Sequence, residues 1–243
     1  RDCLLSRGLG DVYKRQDVSI DMRGFRPNAR IIRIIYSVGL PSIIMQSITS
    51  VMTYGMNLIL ISFSATAVTV LGIYFKLQSF IFMPIFGLNN GMIPIIAYNY
   101  GSRSKKRIMD TAKLSIAIAI GIMLLGLVIF QVFTPQLLML FNASDSLLEI
   151  GIPALRTISL SFLFAGYCII TGSVFQALGN GVYSLIISVA RQLLCILPLA
   201  YIFSHVWGLH AVWFAFPMAE IISTLLTSIL FKRIYNKKIK VLE

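Results

Sequence analysis

LQSFIFMPIFGLNNGMIPIIAYNYGS, Leu77–Ser102, contains no charged residue, and RSKKR follows it directly at Arg103–Arg107. A helix crosses the hydrocarbon of a bilayer in about 20 residues, so this run is long enough to span it. The pattern repeats in both directions along the chain. Charge is also absent from Ile34 to Phe75, from Leu114 to Ser144, from Thr157 to Ala190 and from Gln192 to Ala219. The longest of these gaps must hold two crossings with a turn between them, because about 40 residues of unbroken helix is twice the span required.

Composition agrees. Of 243 residues, 57% are hydrophobic and 12% charged, and the mean hydropathy is +0.84; soluble domains carry roughly a quarter charged residues. The net charge of +12 would suggest nucleic acid in a soluble protein. Here the basic residues cluster between or beyond apolar runs, which membrane topology explains and nucleic-acid binding does not. Cys3, Cys168 and Cys195 show neither metal-ligand spacing nor a disulfide framework, and the latter two read as small residues inside apolar segments.

The expected fold is all-α, a polytopic bundle with six membrane helices over residues 32–62, 67–97, 108–133, 149–175, 182–204 and 209–232. Turn-rich stretches separate them: Ser62–Ala67, YNYGSRSKKR, FTPQ with FNASD, QALGNG and SHVWG. Lys and Arg gather before the first helix (Arg23, Arg26, Arg30, Arg33), after the second (Arg103, Lys105, Lys106, Arg107) and at the end (Lys232, Arg233, Lys237, Lys238, Lys240). An even number of crossings between clusters puts all of them, and both termini, on the cytoplasmic side of a plasma membrane. The same clusters suit anionic lipid head groups. Residues 1–16, RDCLLSRGLGDVYKRQ, lack any hydrophobic period and read as adapter- or vector-derived sequence, which makes the chain a fragment. Residues 17–31 then form a basic linker, 32–232 the membrane bundle and 233–243 a basic tail.

Pro41, Pro84, Pro94, Pro198 and Pro217 lie inside apolar segments, where each removes a backbone donor and disturbs its helix. On the first helix Gln46, Ser50, Thr53, Tyr54 and Asn57 share one face. That face either lines a cavity or supplies hydrogen bonds between packed helices. Lys76, Arg191 and Glu220 fall about 13–16 Å from a helix end at about 1.5 Å per residue, near the middle of the bilayer. Charges at that depth need partners. Glu220 is therefore expected to pair with Lys76 or Arg191, either for proton or substrate handling or as a structural ion pair. Arg156 lies nearer an end and should snorkel, and His205 and His210 belong at the outer interface. Phe75, Phe80, Phe82, Met83 and Phe86 cluster on the second helix, facing either lipid or a cavity.

GLPSIIMQS at Gly39–Ser47 and FMPIFGLNNGMIPIIAYNYG at Phe82–Gly101 resemble the second half of the multidrug and toxin extrusion (MATE) family. FQALGNG (Phe175–Gly181), ARQLLCILPLAYI (Ala190–Ile202) and WGLHAVWFAFPMAE (Trp207–Glu220) extend the likeness in the same order. The resemblance implies a twelve-helix antiporter with two lobes around a central cavity. It would export small organic cations or drugs in exchange for H+ or Na+ by alternating access. The present chain looks like the second lobe, whose partner is the other six-helix lobe of the same polypeptide. Position carries Gln46, Asn57, Lys76, Asn90, Arg191 and Glu220 into that lobe's polar interior. The carboxylate that many members use for coupling belongs to the first lobe. The Glu that some members place early in this lobe's first helix is absent, because the stretch reads Gln46, Ser47 and Thr49.

A lipid-linked oligosaccharide flippase of the same superfamily is the nearest alternative, but it would call for a strongly cationic cavity. A membrane-embedded enzyme would need clustered His, Asp, Glu or Cys at depth, which the sequence lacks. Neither a catalytic residue nor a metal site is expected.

Overall fold

The computed structural model describes residues 28–242. The expected non-native segment 1–16 and most of the 17–31 linker lie outside these residues. Residues 28–37 belong to a unit separate from Val38–Glu243 and contribute only the start of the first helix.

The described residues are all helical or turn. Helix α1 spans Ala29–Ile61, α2 Ala65–Gly101 and α3 Lys105–Val132, followed by a short α4, Thr134–Met139. Helices α5 (Asp145–Ser159) and α6 (Phe162–Ala177) come next. Helix α7 covers Gly181–Val206 with a π-helical turn at Ala190–Ile196. A single turn, α8 (Leu209–Val212), leads into α9 (Ala215–Ile234), which ends in a second π turn at Tyr235–Ile239. Among the described residues five helices are long and apolar enough to cross a membrane, and α5 with α6 makes a sixth if counted as one bent span.

Sequence signals account for the boundaries. Ser64 caps α2, its Oγ accepting from the Ala67 amide at 3.1 Å. Gly179 ends α6 in the left-handed region at φ 72°, which lets the Asn180 amide reach back to the Phe175 carbonyl at 2.8 Å.

Four expectations change. The single helix over 149–175 is two helices bent by 49°. The break at Leu160–Ser161 frees carbonyls of the preceding turn, and side chains take them up. Gln131 Nε2 on α3 donates to the Arg156 carbonyl at 2.8 Å and to Ser159 Oγ at 3.0 Å, and Ser161 Oγ donates to the Ile158 carbonyl at 2.7 Å. Non-helical backbone within a bundle persists only with such partners. The last helix, expected from residue 209, starts in earnest at Ala215. Pro217 then sits in its first turn, where the missing N–H has no role. Pro84 and Pro94 leave α2 unbroken. Within the stretch read as a loop, Pro135 in the first turn of α4 starts a helix there.

Helix α3 packs against α2 and α6, and α9 packs against α6 and the π turn of α7. Glycines permit the close approaches: a Cβ on Gly126 would lie 2.5 Å from Ile81 Cγ2 on α2, and one on Gly166 would lie 3.3 Å from the Ala119 carbonyl oxygen. Packing by small residues is expected where apolar solvent removes the hydrophobic drive between helices. Edge-to-face pairs Tyr74–Phe130, Phe130–Phe162 and Phe82–Phe162 fill the centre. The outer surface carries exposed apolar side chains such as Leu125, Leu225 and Ile229, as suits a bundle bathed in lipid.

Candidate functional site

Buried positions on α2 run Ile85, Asn89, Met92, Ile96 and Asn99. The spacing of 4, 3, 4 and 3 is one helical stripe, so Asn89 and Asn99 face inward with the apolar residues. On α9 the inward stripe runs Phe216, Ala219, Glu220, Ser223 and Thr227 and carries the carboxylate into the bundle. Helix α7 brings Arg191 toward it. Arg191 is the second residue of the π turn, where an i→i+5 register widens the helix. Pro198, two residues past the end of that turn at Ile196, has no N–H for the Leu194 carbonyl, a defect that a neighbouring π turn accommodates.

Arg191 Nη1 donates to Glu220 Oε1 at 2.8 Å, and the two side chains are 23% and 10% exposed. Of the two partners offered to Glu220 by the sequence, the structure uses Arg191. Glu220 Oε2 and Arg191 Nε are buried and have no hydrogen-bond partner among the described residues. Next to Glu220, Thr224 Oγ1 donates to the Glu220 carbonyl at 2.7 Å and lies 3.3 Å from Cys168 Sγ on α6.

In front of this pair lies a cavity of about 440 Å³ bounded by α1, α2, α6 and α7. Ser184 Oγ on α7 donates to the Gly172 carbonyl of α6 at 2.7 Å and fixes the two helices along one wall. Three of the six expected residues line the cavity: Gln46, Asn90 and Arg191. Glu220 does not line it and stands behind Arg191. Asn57 is half-buried farther along α1, away from the cavity. Lys76 is exposed, and its Nζ sits 5.9 Å from the centre of the Phe141 ring. The three deep charges therefore do not share one hollow. The long apolar stem of Lys76 carries its ammonium away to an aromatic face instead.

The lining also includes Asn89, Gln176 and Gln192, which the sequence reading did not single out. Asn89 is 6% exposed and Gln192 4%. Asn89 could have been found: it continues the Ile85, Met92 and Ile96 stripe, whereas Asn90 points about 100° away from it. For Gln192 there was no such signal, because the π turn shifts the face on which it falls. Among the described residues no group of His, Cys, Asp and Glu is placed to hold a metal ion.

A family model described as MatE matches residues 41–202. Among curated relatives, "Multidrug export protein MepA" of Staphylococcus haemolyticus is 25% identical over 224 residues, which cover 92% of this chain and 49% of that protein. The protein of the same name in Staphylococcus aureus is 28% identical over 205 residues, covering 84% and 45%. A solved MOP superfamily transporter from Pyrococcus furiosus superposes with a TM-score of 0.84 at 26% identity, over 98% of this chain and 53% of that one. An outward-facing multidrug resistance MATE transporter gives 0.83 at 25%, over 98% and 55%. The chain spans about half the length of the curated relatives it matches. Helices, inward polar stripes and half-length coverage agree: the chain belongs to the MATE family of membrane transporters, not enzymes, and forms one lobe, about half, of that fold.

Proposed function

We propose that this lobe forms one wall of an alternating-access exporter that carries amphipathic drugs, organic cations among them, out of the cell in exchange for H+ or Na+. The supporting observation is the polar cavity among α1, α2, α6 and α7, set in a bundle with an apolar outer surface. The relatives named as multidrug export proteins point the same way. In this reading the other lobe of the same polypeptide closes the cavity, and rocking of the lobes turns it from one side of the membrane to the other. The bend between α5 and α6 and the π turn of α7 are the local irregularities beside which such motion is accommodated.

Glu220 is the coupling group we assign to this lobe. Protonation removes its charge, loosens Arg191 and changes the field across the cavity wall. The basic clusters at Arg103–Arg107 and Lys232–Lys240 support a cytoplasmic position, beside anionic lipid, for the α2–α3 connection and the C-terminal end in this reading. The test is export of a fluorescent organic cation by the full-length polypeptide that carries this lobe, in proteoliposomes under an imposed pH or Na+ gradient. Glu220→Gln should abolish the response to one gradient while leaving the dye bound. Unchanged coupling in that variant removes Glu220 from the mechanism, and absence of dye movement under either gradient removes the export reading.

A further inference from the structure

Helices α2 and α6 border the cavity side by side. Toward one end they meet through the Phe82 and Phe162 rings, whose centres are 5.5 Å apart. Beyond that contact both helices line the cavity, α2 within residues 86–93 and α6 within residues 168–176. Tyr100 lies 18 residues past Phe82, and Leu178 lies 16 past Phe162, about 27 and 24 Å at about 1.5 Å per residue. The two helices have advanced almost equally when they reach these residues, and there they are joined again.

The second joint is Lys238. Its Nζ donates to the Leu178 carbonyl at 2.8 Å and stands 5.7 Å from the centre of the Tyr100 ring. Asn180 Nδ2 also reaches that carbonyl, at 3.2 Å, but it belongs to the same turn and does not tie α6 to α2. Among the basic tail residues Lys232, Arg233, Lys237 and Lys240 are exposed, and Lys238 alone is drawn in. The π turn accounts for this. It closes with the Lys240 amide on the Tyr235 carbonyl at 2.8 Å and sets Lys238 beside Ile239, which is buried, as is Ile234. A charge that served only lipid head groups would stay at the surface with its four neighbours. An ammonium between a ring face and a carbonyl holds both.

We propose that the C-terminal turn is a clamp on the cavity. Lys238 holds the ends of α2 and α6 together at the basic end of the bundle, and its release lets the two helices part and admit a molecule from that side. Lys238 does not line the cavity and acts as a positioning residue through the helices it joins. The inference rests on the export reading, in which cargo loads from the cytoplasmic face, and adds to it a gate within one lobe.

The experiment uses the full-length polypeptide carrying this lobe in lipid nanodiscs, with no ion gradient and with its native cysteines replaced. Spin labels on Ser102→Cys and Val182→Cys, both exposed positions, report the separation of the α2 and α6 ends by pulsed dipolar spectroscopy. Wild type should show one main distance and a minor longer one. Lys238→Met should raise the longer population about fivefold, the ratio expected when one hydrogen bond of ordinary net strength is lost. It should speed association of the organic cation ethidium by a similar factor. Lys237→Met, at an exposed neighbour, should match wild type in both measurements. An unchanged distance in Lys238→Met overturns the clamp. So does an unchanged association rate there, because a contact that does not govern entry is only a helix cap. Equal opening in Lys237→Met assigns the effect to net charge and overturns the proposal as well. Should Lys238→Met fail to fold, Tyr100→Leu decides, since it removes the ring alone: a rise of about twofold supports the clamp and no rise overturns it. Ethidium that enters but is not moved under either gradient sinks the export reading alone. Export with the helix ends unmoved in Lys238→Met sinks the clamp alone.

Discussion

Arg191 Nη1 donates to Glu220 Oε1 across 2.8 Å, joining the π turn of α7 to the inward stripe of α9. Removing one member strands the other charge in the bundle. A fully buried pair broken this way loses about 3–5 kcal/mol; with Arg191 about a quarter exposed, water recovers part of that. Arg191→Gln or Glu220→Gln alone should therefore destabilise by about 2–4 kcal/mol. The double variant should lie within about 1 kcal/mol of wild type, because neutral amides of similar shape leave no charge behind. Unfolding of the detergent-solubilised protein by denaturant titration reads this. Equal loss in the single and double variants would show that the pair's charges are not coupled.

Gln131 reaches from α3 to the Arg156 carbonyl and Ser159 Oγ at the 49° bend. Gln131→Leu leaves the Arg156 carbonyl with Ser159 Oγ alone, at 2.9 Å, and should cost about 0.5–1.5 kcal/mol. Gln131→Glu keeps the shape but replaces donor by acceptor and should cost at least as much. The same unfolding titration checks both, and a neutral Gln131→Leu would show that the bend needs no support from α3.

Two glycines on α3 make opposite predictions. A Cβ at Gly126 would press on Ile81 Cγ2 at 2.5 Å, whereas one at Gly121 meets nothing within 4 Å. Gly126→Ala should destabilise by about 1–3 kcal/mol as α2 and α3 are forced apart. Gly121→Ala should lie within about 0.5 kcal/mol of wild type. Similar behaviour of the two variants would contradict the α2–α3 packing.

Lys238 in the terminal π turn donates to the Leu178 carbonyl at 2.8 Å and lies 5.7 Å from the Tyr100 ring centre. The Leu178 carbonyl at the end of α6 also accepts from Asn180 Nδ2 at 3.2 Å, so the ammonium shares its capping. Lys238→Met should free the tail by about 1 kcal/mol, seen as roughly fivefold faster tryptic trimming at Lys237 and Lys240. An unchanged trimming rate would mean that the tail is held by its apolar contacts alone.

Much of the lobe is legible in residue order. Uncharged runs longer than a bilayer, separated by Gly, Asn and basic clusters, determine the number of crossings, because each span must bury its own backbone and exclude charge. Helical period assigns faces within one element, and it sets Gln46 on one polar face of α1 with Ser50, Thr53, Tyr54 and Asn57. Irregular backbone escaped this reading. The bend at Leu160–Ser161 is bridged by Gln131 of α3, a partner distant in the chain, and the π turn rotates everything after Ala190 by a register no fixed period describes.

What the sequence by itself determined is the environment: a membrane bundle with a few polar and charged residues facing inward. Which of those residues meet was decided by tertiary structure alone. Glu220 takes Arg191 because α9 packs on the π turn of α7, while Lys76, at similar depth, reaches the ring of Phe141 instead. Period places a side chain on its own helix but does not say which neighbour stands across from it. That choice is made by the close approach of helices at small residues such as Gly126 and Gly166, and in apolar surroundings such packing supplies the association energy.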